Sequence, residues 1–220
     1  MRKRTLTILV FLILVTVAGT AIVYPMLPER IATHWNATGT PDGFSSRIWG
    51  AWLMPLLLAA LIGLFAVLPR IDPLKKNYPA FQGMYDIFVI AIVAFMVFVQ
   101  GLTIAFNLGY AVPFSAAMLV GISLLFIVIG RLLPGLKPNW FMGIRTPWTL
   151  SSETVWEKTH AIGGKLFVVA GVASFLGAFL SGAWPIYVML GTLLPASLGM
   201  VVYSYVAYRS ENHQETDRDA

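Results

Sequence analysis

Residues 5–24 read TLTILVFLILVTVAGTAIVY, a run from Thr5 to Tyr24 without a single charge, and Pro25 closes it. A helix needs roughly 20 mostly apolar residues to cross about 30 Å of hydrocarbon, so this stretch predicts a membrane span. Outward from it, Ile48 to Leu68 is again uncharged, with Pro69 and Arg70 behind it. No charged residue occurs between Asp86 and Arg131, enough for two spans, and Asn107, Gly109 and Pro113 supply the turn between them. A second double-length run, between Lys165 and Arg209, breaks at Ser181, Gly182 and Pro185. The predicted fold class is therefore all-α: a polytopic membrane protein of about six transmembrane helices.

Composition agrees. Hydrophobic residues make up 58% of the chain and charged residues 11%, against about 25% charged in a soluble domain. The bilayer is the solvent for such a chain, and the multi-pass cell (plasma) membrane is the expected location. There is no cysteine, which excludes disulfides and thiolate metal sites. The net charge of +5 does not point to nucleic acid, because the basic residues lie between apolar runs, where they face headgroups. Arg2, Lys3 and Arg4 before an apolar run resemble a signal peptide, with Gly19-Thr20-Ala21 as a cleavage site. The run outlasts a signal core, and an uncleaved first helix is the expectation.

Basic residues set orientation. Thirteen fall on one side of the six-span arrangement: Arg2, Lys3 and Arg4; Arg70, Lys75 and Lys76 after helix two; five from Arg131 to Lys165; and Arg209 and Arg218 in the tail. Only Arg30 and Arg47 fall on the other. Both termini are expected in the cytoplasm. The polar, acidic tail, residues 210–220, has no apolar face and is expected to be disordered.

The spans hold few polar groups, so ion coupling has little to work with. Asp86 is expected near the start of helix three, where a helix N-terminus favours negative charge. Gln100 and Asn107 share a face of that helix and are expected to bond a neighbouring helix, with the lining of a small cavity as the alternative. Ala173, Gly177 and Ser181, and likewise Gly191, Pro195 and Gly199, recur every four residues, a spacing that predicts close packing of the last two helices. Pro55 and Pro195 are expected to kink their helices.

The informative sequence lies in two long connections. The outer one, PMLPERIATHWNATGTPDGFSSR (25–47), offers Arg30, His34, Asp42 and Arg47 as extracytoplasmic recognition candidates, with a turn signal at Pro41-Asp42-Gly43. The inner one, between Arg131 and Lys165, contains NWFMGIRTPWTLSSETVWEKTH (139–160). Its tryptophans suit the headgroup layer. Ser151 or Ser152 can cap a short helix to about Thr159, with Val155, Trp156 and Thr159 on one face against the membrane.

That inner stretch resembles the signature of the SdpI family: Asn139-Trp140-Phe141-Met142-Gly143-Ile144-Arg145-Thr146-Pro147-Trp148-Thr149-Leu150-Ser151-Ser152, then Val155-Trp156 and Thr159-His160. The outer segment, from Leu27-Pro28-Glu29 through His34, Gly39 and Pro41-Asp42-Gly43, resembles the small domain of unknown function that precedes it in those proteins. The resemblance implies a three-helix N-terminal half (1–110) with an extracytoplasmic loop 25–47. It further implies an SdpI-like C-terminal half (111–209) with a cytoplasmic loop 131–165, before the tail. An echo of Thr40-Pro41…Ser45-Ser46 in Thr146-Pro147…Ser151-Ser152 suits a weak inverted repeat.

What the resemblance implies about function is immunity to, or sensing of, a secreted toxin peptide outside, with capture of a transcriptional repressor at the membrane inside. The implied cytoplasmic residues are Asn139, Trp140, Gly143, Arg145, Thr146, Pro147, Trp148, Ser151, Ser152, Trp156 and His160. The competing class is a small-molecule transporter or channel. An enzyme is not expected. His34, His160 and His213 fall at sites that cannot converge on a metal, no nucleophile faces a base, and no cofactor is called for. The partners expected are the lipid bilayer, the peptide and the repressor, with no direct contact to nucleic acid.

Overall fold

The computed structural model describes residues 1–216. Among the described residues, six helices are long and apolar enough to cross a membrane: α1 (Lys3–Val23), α2 (Arg47–Ile71), α3 (Tyr78–Asn107), α4 (Phe114–Leu132), α6 (Glu153–Gly177) and α7 (Trp184–Thr216). A one-turn α5 (Pro147–Ser151) precedes α6. The protein is a multi-pass membrane protein of the expected helical class. Two features depart from the sequence pattern. The connection after α1 is a β-hairpin, β1 (Arg30–Trp35) antiparallel to β2 (Pro41–Ser46), and Pro41-Asp42-Gly43 lies in β2 rather than at the turn. The turn is Asn36–Thr40, where the Asn36 Oδ1 accepts the Thr38 and Thr40 N–H groups, each at 3.0 Å, and Gly39 takes φ +84°. Asx-turn chemistry at Asn36 outcompetes the Pro-Asp-Gly signal.

Helix ends also moved. Pro69 lies inside α2, and α7 runs to Thr216, so residues 210–216 are helical where a disordered tail was expected. Glu211 accepts a hydrogen bond from the Ser152 hydroxyl at 2.5 Å, which ties that segment to the body. Residues 217–220 of the expected tail, lie outside the described residues.

α3 is the central helix of the first half. Tyr78, Phe81, Tyr85, Val89 and Val93, at helical spacing, are all buried, and the Tyr85 hydroxyl donates to the Phe65 carbonyl of α2 at 2.6 Å. Asp86 is not at the start of this helix but two turns into it. It holds the chain start, accepting from the Arg2 N–H at 3.3 Å and from Gln82 at 2.8 Å. In the second half, α4 and α6 meet backbone to backbone. A Cβ on Gly164 would lie 2.6 Å from the Gly130 carbonyl oxygen, and one on Gly171 would lie 2.9 Å from that of Ser123. These are the small residues that bring helices together in lipid. Of the two expected stripes, Gly177 does pack on Val188 of α7. Gly191, Pro195 and Gly199 are exposed on the outside of α7 instead.

Candidate functional site

The two long connections build the two ends of the bundle. At the motif end, Asn139 is fully buried and organises a tight turn. Its Oδ1 accepts from the N–H groups of Phe141 (3.0 Å) and Met142 (2.6 Å), while its Nδ2 donates to the carbonyls of Lys137 and Met142, both at 3.0 Å. Gly143 follows at φ +108°, a conformation that side chains resist. A Cβ there would meet His160 Nε2 at 2.4 Å, which in turn accepts the Ile144 N–H at 2.9 Å. The His160 Nδ1 pairs with the Trp156 carbonyl at 2.8 Å, so the ring is held as the Nδ1–H tautomer. Trp156 stacks on that ring at 4.0 Å and donates its indole N–H to the Leu136 carbonyl at 2.7 Å.

The rest of the motif fastens neighbouring elements. Thr146 caps α5 in a reciprocal capping box with Thr149 and bonds the Ser204 hydroxyl of α7 at 3.0 Å. Trp148 packs on Tyr205 of α7. Ser152 caps α6 through the Val155 N–H at 3.2 Å, while Ser151 only bonds back to Pro147. Asp72, in the loop after α2, is buried; it accepts from the Tyr78 hydroxyl and the Trp140 N–H, both at 3.0 Å. Lys137 bridges Glu157 at 2.6 Å and Glu153 at 3.3 Å, and the hydrogen bond to Glu157 is the main cause that holds its ammonium above the ordinary lysine range.

Two sequence expectations change here. The helix begun by Ser152 does not stop at Thr159 but continues as α6 to Gly177. Its face of Val155, Trp156 and Thr159 points into the protein, all three at 0% exposure, because Trp156 finds a carbonyl and a ring partner there. Trp156 and His160 are thus interior residues and not an inner surface. The exposed part of the motif is Trp140, Phe141, Arg145, Pro147 and Ser151, with the Arg145 guanidinium donating to the Trp140 carbonyl.

At the opposite end the hairpin lies over the bundle. His34 Nδ1 and Asp42 Oδ1 pair across it at 2.5 Å. Arg30 stands over the Phe44 ring, 5.5 Å from its centre, and Arg47 over Tyr24 at 5.9 Å while also bonding the Pro28 carbonyl. Of the four recognition candidates, His34 and Asp42 come together, and Arg30 and Arg47 are each occupied separately. Asn107 reaches up from α3 to pair with both Ala32 N–H (2.8 Å) and C=O (3.0 Å). Trp35 stacks on Phe114 of α4 at 3.6 Å. Below the hairpin, between α2, α3, α4 and α7, is a cavity of about 580 Å³. His34, Trp35, Trp49, Gln100, Thr103 and Ser115 contribute its polar and aromatic wall. The cavity was not legible in the sequence, since its wall comes from five separated segments. Gln100, an amide in mid-span, was the one signal pointing to it.

Residues 135–204 match the SdpI/YfhL protein family, and residues 11–59 match a domain of unknown function, DUF1648. The chain is also similar to the Immunity protein SdpI of Bacillus subtilis (strain 168), 24% identical over 212 residues, which cover 96% of this chain and 99% of that one. No solved structure matches this chain. The SdpI region holds the motif turn, α5, α6 and most of α7. The DUF1648 region holds most of α1, the hairpin and the first half of α2. The two matched regions therefore supply opposite ends of one bundle, and among the buried residues of the SdpI-like signature Asn139, Thr146, Thr149, Trp156 and His160 make the hydrogen bonds that fix the motif's shape.

Proposed function

We propose that this protein is an immunity-type membrane protein that acts by binding and not by catalysis. Its hairpin end faces outward and meets a membrane-active toxin peptide, and its motif end faces the cytoplasm and reports the encounter, by holding a repressor protein at the membrane. The observation that carries this reading is the near full-length similarity to a protein named as an immunity protein. The thirteen-to-two distribution of basic residues supports the orientation. The exposed Trp140, Phe141 and Arg145 give the inner end a compact aromatic and cationic face, the composition that protein interfaces favour.

The test is protection. Expression of the parent in a sensitive bacterium should raise survival against a membrane-active killing peptide, and a purified fraction should bind that peptide without degrading it. Arg145→Ala should leave protection intact and impair the report, since the guanidinium is the fork-shaped donor that recognises carboxylate or phosphate. Loss of protection in the parent's absence only, with the peptide recovered intact, is the expected result; peptide cleavage would reject the binding mechanism. The cavity between α2, α3, α4 and α7 favours one second reading, a small-molecule transporter. Substrate-dependent flux in proteoliposomes would select it.

A further inference from the structure

Gln100 lies deep in the span of α3 and is only 3% exposed. Its Nε2 donates to the Thr20 hydroxyl of α1 at 3.2 Å and to the Ala51 carbonyl of α2 at 2.9 Å. A backbone carbonyl can only accept, so the amide cannot be turned over. Both hydrogens are committed to neighbouring helices, and no donor among the described residues reaches the carbonyl oxygen. Gln100 lines the cavity, and that oxygen is the polar group it has left for it. Trp35 lines the same cavity with its ring, but its indole N–H is closed off from the open space and has no acceptor among the described residues. An acceptor left unpaired in an apolar wall is costly.

The rest of the wall limits what can satisfy that oxygen. Among the described residues no Asp, Glu, Lys or Arg lines the cavity, and Leu53, Leu57, Leu119, Ile122 and Met189 make much of it apolar. An ion would find no counter-charge. A lipid acyl chain would fit the apolar wall and leave the Gln100 oxygen unpaired. A peptide unit offers an N–H, which complements that oxygen, and carries apolar side chains that suit the wall around it. The volume of about 580 Å³ is that of a small-ligand site.

We propose that the cavity binds an uncharged, apolar peptide segment, with one of its backbone N–H groups donating to the Gln100 oxygen. This rests on the peptide-binding function proposed above and gives it a ligand class: the hydrophobic stretch of the peptide enters the protein, and its polar residues stay outside with the hairpin.

The test uses the full chain in lipid nanodiscs and the photoreactive probe acetyl-leucyl-photoleucyl-leucine amide. A matched probe has its central amide replaced by an ester, which removes the N–H. The amide probe should label cavity residues, and the ester probe should label them several-fold less. Met118→Trp fills the cavity without touching the bonds of Gln100 and should reduce labelling at least tenfold. Gln100→Leu should make amide and ester label alike. Equal labelling of the parent by both probes, or labelling indifferent to Met118→Trp, overturns the proposal. So does a diazirine-bearing phosphatidylglycerol that labels the cavity and is not displaced by the amide probe. The killing assay separates the two claims. A parent and a Met118→Trp variant that protect equally would overturn the cavity site and leave immunity standing. Cavity labelling as expected in a parent that does not protect would support the ligand class and reject immunity.

Discussion

Replacing Asn139 with alanine removes a side chain whose four hydrogen bonds all close within one turn of the motif, at 0% exposure. At roughly 1 kcal/mol net per bond, the loss has a ceiling of about 4 kcal/mol. Water entering the small space left behind can re-pair some of the freed backbone groups, so about 2–3 kcal/mol is expected. Asn139→Asp separates the contributions. The carboxylate can still accept from Phe141 and Met142, but its second oxygen would face the carbonyls of Lys137 and Met142 where the amide donated. A charge placed there without a further donor makes this variant at least as unstable as the alanine. Reversible unfolding in mixed micelles, followed by tryptophan fluorescence, measures both. If either variant lies within about 0.5 kcal/mol of the parent, a surface-like effect, the motif is not held by this amide and its shape must have another origin.

The remaining predictions concern packing and topology. Gly164→Val should destabilise the bundle strongly, because its Cβ would lie 2.6 Å from the Gly130 carbonyl, whereas Gly191→Ala, with open space around it, should be neutral within about 0.5 kcal/mol; paired unfolding curves compare them. Gly143→Ala should cost about 1–3 kcal/mol for backbone strain alone, and should also expose the Ile144 amide to faster hydrogen exchange, since the new methyl displaces the His160 ring that accepts it. Cysteines placed at Thr38 and Ser151, in a chain with none of its own, should label from opposite faces of intact cells, with Thr38 reached from outside; labelling from one face would overturn the orientation.

The six spans were legible because length and absence of charge decide them, whatever the tertiary contacts. The hairpin was not, because a six-residue strand such as Arg30–Trp35 carries a mixed pattern and is stabilised by an amide from a helix 75 residues away. Small residues at four-residue spacing were visible on both α6 and α7. Spacing alone does not say which face meets a helix and which meets lipid, and so Gly191 and Gly199 misled while Gly130 and Gly164 went unseen. At the motif end the sequence named the right residues but not their roles. Trp156 reads as membrane-facing and His160 as a cytoplasmic motif residue until the carbonyls of Leu136 and Trp156 and the Ile144 N–H are placed around them.

Asn107 turns both ends of its amide to Ala32, accepting from that residue's N–H and donating to its C=O, with a second hydrogen bond back to Thr103 of its own helix. In doing so it stands where a third strand would begin. An extended chain arriving from outside cannot extend the sheet along β1 at that register, because the two backbone groups it would need are taken. Aggregation by strand addition is blocked on this flank for the same reason. Recognition at the hairpin end is thereby pushed away from backbone pairing on β1, and a peptide must be told apart by its side chains or by what it inserts beneath the sheet.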